Sequence, residues 1–330
     1  MIYRERDLKI LIGGPGLMVE EYVQIVQREF PNIKILSSPI LVETEKDQVK
    51  GEIEDVDIMA SFNAYPFSMP QMKRLKWFHV FMTGYEHILK TGLVGKEIIL
   101  TNCAGTVSIP IAEMVIGYLL FFVKKFQRSL ENQRLHKMDR MLGQMQELHQ
   151  RTIGVLGLGH IGKVIVKKAK LGFDMVVLGY DKYVKEFEYA DRILPDDQLD
   201  ELLKVSDFIV ISLPLTPETN RLIGEKELRM MKPTAFLVNV ARGEILDKDA
   251  LARALREGWI AGAAIDVFWG DPTAYVLPPD DELWDLDNLL ITAHNATGTD
   301  RYVMRTGQLF CENLARFLRG EPLINTVTER

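Results

Sequence analysis

Apolar residues along this chain come in short runs separated by amphipathic or turn-rich stretches, and that rhythm predicts strands alternating with helices. In the first third the runs fall at 9–14, 33–36, 56–61, 77–82 and 97–101, with an amphipathic helix over 18–30 and a turn-rich piece around Pro66 and Pro70. From 152 onward the predicted strands are 153–156, 175–180, 208–213, 235–240, 261–267 and 289–292. Helical spacing fills 161–171, 198–204, 225–231 and 248–256 between them, with Gly172 and Gly258 placed as C-terminal caps. Strands linked by helical crossovers imply parallel α/β sheets, here two of them. Between them lies a long helix over 111–127, then a polar, Met-rich linker and surface helix over 130–150. A final helix over 301–318 is expected to return to the first unit, which makes that unit discontinuous.

Composition narrows the class without naming a chemistry. At 330 residues and 47% hydrophobic, the chain is long enough for two cores. A net charge of −6, with no basic run, gives nucleic acid no footing. The most apolar segment, 109–123, holds Pro110 and Glu113 and stops at Lys124-Lys125, so a buried helix is expected there rather than a membrane span. The opening residues, Met-Ile-Tyr-Arg-Glu-Arg-Asp, have no signal-peptide character, so a cytoplasmic protein is the expectation. Cys103 and Cys311 offer neither a disulfide framework nor metal-ligand spacing.

The most informative stretch is Thr152-Ile-Gly-Val-Leu-Gly157-Leu-Gly159-His160-Ile161-Gly162-Lys163, with Asp181 closing the next apolar run. A buried strand, a G-x-G-x-x-G turn, a helix and an acid at the end of the second strand together predict a dinucleotide site. Gly157 permits the tight turn, Gly159 lets a pyrophosphate approach the backbone, and Gly162 lets helix and strand pack closely. The helix N-terminus offers amides and positive potential to the phosphates. Asp181 is placed to accept ribose hydroxyls and to repel the extra phosphate of NADP, which points to NAD; capping a local turn is the plainer alternative for it.

Three polar residues follow strands of the same unit: Arg242 after Leu-Val-Asn-Val-Ala, Asp271 after Asp266-Val-Phe-Trp-Gly, and His294 after Leu-Ile-Thr-Ala. Reducing a ketone beside a nicotinamide needs a cation on the substrate oxygens and an acid for the new alcohol. A guanidinium suits the first task and an imidazole the second. A carboxylate near the imidazole would orient it.

With these pieces in order the chain resembles the D-isomer-specific 2-hydroxyacid dehydrogenases. The matching segments are Leu-Thr-Asn102-Cys-Ala-Gly105, Ile-Ala-Glu113, Gly-Leu-Gly-His-Ile-Gly, Leu-Pro214-Leu-Thr-Pro-Glu-Thr219, Asn239-Val-Ala-Arg242-Gly, Asp266-Val-Phe and Thr-Ala-His294. The resemblance implies two doubly wound α/β domains, a Rossmann-type NAD-binding domain (104–297, with 108–150 as connecting helix and linker) inserted into a flavodoxin-like substrate domain (1–103 and 298–330). It implies Arg242 as the anchor for substrate carboxylate and carbonyl, His294 as general acid/base and Asp271 as its carboxylate partner. Backbone amides at Gly84 and Tyr85 would hold the substrate carboxylate. Asp266 would bond the nicotinamide carboxamide, with a purely structural role as its alternative, and His160 and Ile161 would present amides to the pyrophosphate. Pro214, Thr219, Val240, Ala241, Asn295 and Ala296 would complete the cofactor pocket. A homodimer is implied too, with the helix from Ile111 and the following linker as contact surface.

One position departs from the family pattern, which has Glu where this chain has Asp271. The side chain is shorter by one methylene, about 1.5 Å, so a weaker pairing with His294 and a lower apparent pKa for reduction are expected. Trp269 could wall the site or simply pack its loop. His79, His136 and His149 are expected in packing or surface roles, and His87 lies nearer the substrate loop. Two other functions share the fold: an NAD-sensing binding protein of corepressor type, and a phosphite-type dehydrogenase. The side chain of the keto acid is left open, with Phe62, Tyr65, Tyr85 and Trp269 as candidate determinants.

Overall fold

The computed structural model describes residues 4–39, 53–64, 69–92, 94–95, 97–140, 143–270 and 277–327. Two compact units emerge: Met1–Val107 with Thr299–Arg330, and Ser108–Gly298. Their boundaries fall a few residues along from the 103/104 and 297/298 expected from the resemblance.

In the first unit the described elements are β1 (Lys9–Gly14), α1 (Gly16–Glu29), β2 (Lys34–Pro39), β3 (Ile58–Ser61), β4 (Trp77–Val80), α2 (Glu86–Lys90) and β5 (Ile99–Asn102). The strands pair in parallel in the order β2-β1-β3-β4-β5, the doubly wound flavodoxin-like order. Strands β3 and β4 are buried at every position, which explains why they read as mostly apolar runs, interrupted only by the buried Ser61 and His79, rather than as alternating ones. Helix α2 was not foreseen; it is only five residues long.

The second unit contains α3 (Ser108–Val123), α4 (Phe126–Arg134), β6 (Thr152–Leu156), α5 (His160–Phe173), β7 (Val176–Tyr180), β8 (Arg192–Leu194), α6 (Leu199–Val205), β9 (Phe208–Ile211), α7 (Glu225–Met230), β10 (Phe236–Asn239), α8 (Lys248–Arg256), β11 (Gly262–Ile265) and β12 (Leu289–Ile291). The described strands form one parallel sheet, β12-β11-β10-β9-β6-β7-β8, which is the Rossmann order extended by a seventh strand. Strand β8 was missed because three residues at a sheet edge carry no legible period. Helix α5 buries Gly162, Ile165, Val166 and Ala169, the i, i+3, i+4, i+7 stripe of a helix packed on a sheet. It does not stop at Gly172: the left-handed terminus is taken by Asp174, at φ 49°. Gly258, at φ +69°, follows the last turn of α8 as expected. The predicted 111–127 helix breaks early, since Lys125 turns left-handed at φ 52° and separates α3 from α4.

Helix α9 (Tyr302–Arg319) then packs against α1 in the first unit. Its buried Phe310, Leu314 and Phe317 join Trp77, Tyr22 and Phe81 in one core, and burial of each such side chain contributes roughly 1.5–3 kcal/mol. Among the described residues no helix is long and apolar enough to cross a membrane.

Candidate active site

Every strand of the second unit that was expected to carry a functional residue delivers it at its carboxyl end. Gly157 follows β6, Asp181 follows β7, Pro214 lies just past β9, Arg242 past β10, Asp266 directly after β11 and His294 just past β12. Because all these strands are parallel, the residues share one edge of one sheet, where ligands of open α/β folds bind.

The glycine turn fits a diphosphate. Gly157 sits at φ +95°, a conformation that favours glycine, and its amide donates to the Tyr180 carbonyl at 2.8 Å. A Cβ on Gly162 would lie 1.9 Å from the Gly157 carbonyl oxygen, so no side chain is admissible there. A Cβ on Gly159, by contrast, would meet nothing within 4 Å. Gly159 and His160 are exposed, Ile161 is half-buried, and no side chain caps the start of α5. The turn is therefore closed on its protein side and open where phosphates would approach.

Asp181 does more than face a ligand. Its Oδ2 accepts the Leu158 amide at 2.7 Å, and its Oδ1 accepts the Tyr183 and Val184 amides, each at 2.8 Å. Burial pushes this carboxyl up, but the three amides and Lys163 outweigh it and hold the group below the usual carboxylate range. The plainer turn-capping role is thus present, and the same carboxylate braces the glycine turn. Thr219 has a similar internal duty: its hydroxyl donates to the Pro214 carbonyl at 2.7 Å and its oxygen receives the Thr216 amide at 2.8 Å, closing the 214–219 loop.

Arg242 leaves β10 on a turn that Asn239 organises. The fully buried Asn239 donates to the Arg242 carbonyl at 2.9 Å and accepts the Ala241 amide at 3.0 Å. Val240 and Ala241 are buried beside it. Gly243 then allows the turn to press against the next loop, since a Cβ there would come within 2.3 Å of the Phe268 backbone. Trp269, in that loop, donates its indole N–H to the Leu246 carbonyl at 2.6 Å and packs on the core, so it fastens the loop to its domain.

His294 occupies a left-handed conformation, φ 53°, which costs an ordinary residue roughly 1–2 kcal/mol. The strain is offset by Asp266, which is 2% exposed. Its Oδ1 accepts the Thr292 hydroxyl at 2.6 Å and the Asn295 amide at 3.0 Å, and its Oδ2 accepts the Ala296 amide at 3.0 Å. Asp266 therefore folds the loop that carries His294. Asn295 is exposed and Ala296 buried. Burial holds the His294 imidazole below its usual range; Asp266 pulls it up and Arg242 pushes it down. Arg242, Asp266 and His294 thus form one electrostatic group. Asp271 and Tyr65 lie outside the described residues.

Gly84 and Tyr85 belong to the first unit, in the turn between β4 and α2. The Tyr85 amide donates to Glu86 Oε2 at 3.0 Å, so a protein carboxylate already takes the place expected of a substrate carboxylate. His87 bonds the Phe62 carbonyl at 3.0 Å. His79 is fully buried between Thr101 and Cys103, at 2.8 and 3.3 Å. Three contributors to the His294 loop and the Arg242 turn were not foreseen: Tyr118, Thr292 and Asn239. A lone phenol inside the apolar 109–123 run was the visible signal for the first.

Comparison with known proteins bears on family and fold. Residues 116–296 match the family model described as D-isomer specific 2-hydroxyacid dehydrogenase, NAD binding domain. A glyoxylate reductase of Korarchaeum cryptofilum is 33% identical over 293 residues, covering 86% of each chain. A D-3-phosphoglycerate dehydrogenase of Methanocaldococcus jannaschii is 32% identical over 97% of this chain, which spans only 59% of that protein's length. Among solved structures, a D-isomer specific 2-hydroxyacid dehydrogenase from Xanthobacter autotrophicus Py2, in complex with NADPH and MES, superposes with a TM-score of 0.82 at 25% identity, covering 96% of this chain and 97% of the other.

Proposed function

The chain belongs to the D-isomer-specific 2-hydroxyacid dehydrogenases, NAD(P)-dependent oxidoreductases acting on 2-hydroxy acids, and from there we propose that it reduces a small 2-keto acid, with Arg242 as substrate anchor and His294 as general acid. The observation that carries this reading is the convergence of Arg242, Asp266 and His294 at one sheet edge, on the same edge as an open glycine turn.

A bound nicotinamide supplies the hydride. The residues of this chain do the rest. Arg242 binds the oxygens of the keto acid and stabilises negative charge that builds on the carbonyl oxygen. Protonated His294 delivers its proton to that oxygen, and in the reverse direction removes it. Asp266 keeps the imidazole where the oxygen will be. The amides at Gly84 and Tyr85 are proposed to bind a substrate carboxylate; that of Tyr85 already donates to a carboxylate oxygen, Glu86 Oε2, at 3.0 Å. The relatives called glyoxylate reductase favour a small substrate.

The cofactor we propose is NAD, because the Asp181 carboxylate at the end of β7 opposes a ribose phosphate. A homodimer is proposed as well, joined through α3, α4 and the stretch after them, where Phe126, Leu130, Leu135 and Met138 are exposed apolar side chains.

The deciding experiment measures oxidation of NADH and of NADPH with glyoxylate, hydroxypyruvate, pyruvate and phenylpyruvate. Turnover with one of them, faster with NADH and lost in His294→Ala while NADH still binds, is the expected result. Loss of NADH binding together with turnover would remove the acid role from His294. No turnover with any keto acid would leave a binding protein or a phosphite-type activity.

A further inference from the structure

The phenol of Tyr118 lies 2.6 Å from Thr292 Oγ1, and that hydroxyl lies 2.6 Å from Asp266 Oδ1. The two tyrosine and threonine positions are 174 residues apart in the chain. Tyr118 is 3% exposed and sits inside the apolar helix α3, among Val115, Ile116 and Leu119.

The proton order in this chain follows from valence. A carboxylate can only accept, so Thr292 gives its one hydroxyl proton to Asp266. The Thr292 oxygen is then the acceptor for Tyr118, and the phenol must donate. Burial pushes the Tyr118 phenol above its ordinary range, so it keeps that proton at any working pH. The series ends at Asp266, which also accepts the Asn295 and Ala296 amides; these two residues follow His294 in the chain and Thr292 precedes it. Hydrogen bonds linked in series strengthen one another in a dry interior.

We propose that Tyr118 is a positioning residue for His294, acting through Thr292 and Asp266 to hold the left-handed His294 loop in a single arrangement. This rests on the reading of His294 as general acid. It assigns to α3 a function in the reaction in addition to packing: the helix carries the far end of a hydrogen-bonded brace whose near end sets the imidazole. A phenylalanine would fill the same volume and bury the same ring, so packing alone gives the phenol no purpose. Among the described residues the phenol's hydrogen bond is to Thr292.

The test compares the full-length protein with Tyr118→Phe, Thr292→Val, the double variant and Thr292→Ser. Turnover is followed with NADH and glyoxylate, NADH affinity by fluorescence, and melting by circular dichroism. Losing one buried hydrogen bond that acts on the transition state lowers kcat about five- to tenfold. That loss is expected in Tyr118→Phe, with NADH affinity kept within about twofold. The double variant should be no worse than the poorer single one, because both cut one relay. Thr292→Ser, which keeps the hydroxyl, should stay near the parent. Unchanged kcat in Tyr118→Phe, or losses in the two singles that multiply in the double, would overturn the proposal.

A second measurement does not depend on activity. Hydrogen exchange at the Asn295 and Ala296 amides should quicken about tenfold in Tyr118→Phe while the strands of the same sheet keep their protection. Unchanged exchange at both amides would equally sink the brace. Absence of turnover in the parent protein would count against the keto-acid reading, and the exchange result would still decide the role of Tyr118.

Discussion

Asn239 holds Arg242 from behind, donating to its carbonyl at 2.9 Å while accepting the neighbouring Ala241 amide at 3.0 Å. Both ends of a fully buried side chain are spent on fixing one turn. Changing Asn239 to Asp leaves the Arg242 carbonyl without its donor, at a cost of about 1–3 kcal/mol. The guanidinium then loses its set position. Steady-state kinetics should show kcat/KM for the keto acid falling roughly 10- to 100-fold, with NADH affinity little changed. Equal loss of NADH affinity would mean that the turn serves the cofactor instead.

Reduction needs the protonated imidazole of His294. Burial holds its pKa below 6.5, Asp266 opposes that shift, and Arg242 adds to it. The protonated form is therefore lost at a lower pH than for an ordinary histidine. The rate of keto-acid reduction should fall as pH rises through a value below 6.5, and oxidation of the hydroxy acid should gain over the same interval. A pH–rate profile for reduction whose midpoint lies above 6.5 would contradict the placement.

Two glycines separate fold from ligand binding. Gly162→Ala places a methyl 1.9 Å from the Gly157 carbonyl oxygen and should lower the melting temperature as well as NADH affinity. Gly159→Ala meets no atom within 4 Å and should melt like the parent. It should nevertheless bind NADH at least about tenfold more weakly, since the methyl enters the space a pyrophosphate needs. Calorimetric titration of both variants checks the pair; parent-like affinity in Gly159→Ala would move the phosphates elsewhere.

His79 makes the first unit sensitive to acid. Desolvation takes its pKa down to about 3 from 6.5. Between those values the unfolded chain binds a proton that the folded one refuses, so stability drops as pH falls from 6.5 toward 3. The slope from this group approaches about 1.4 kcal/mol per pH unit. Urea midpoints at pH 6 and pH 4 should differ less in His79→Gln than in the parent. An identical difference would show that His79 takes up its proton without unfolding.

What could be read beforehand depended on how local the signal was. The β6–α5–β7 segment carries strand, glycine turn, helix and acid in one short stretch, so its local fold was legible element by element. Strands buried on both faces, such as β9 and β10, announced themselves as apolar runs. Edge strand β8 and helix α2 are too short for any period. The internal bonds of Thr219 and Asp266 were hidden because they depend on where loops close. Tyr118 and Thr292 meet across 174 residues, and no periodicity encodes which helix position lands beside which strand end. Gly172 misled for a related reason: Asp174 supplied the left-handed turn that glycine was expected to provide.

Helix α9 has a consequence for how the protein is made. It lends Phe310, Leu314 and Phe317 to a core whose other half lies before residue 104. On the ribosome those early residues emerge with Trp77 and Tyr22 uncovered, and their cover is translated only after the whole 108–298 unit. The cofactor unit is contiguous and can close as it leaves the exit tunnel, whereas the first unit must wait for α9. The first unit is thus exposed to chaperones and proteases for as long as the 108–298 unit takes to translate.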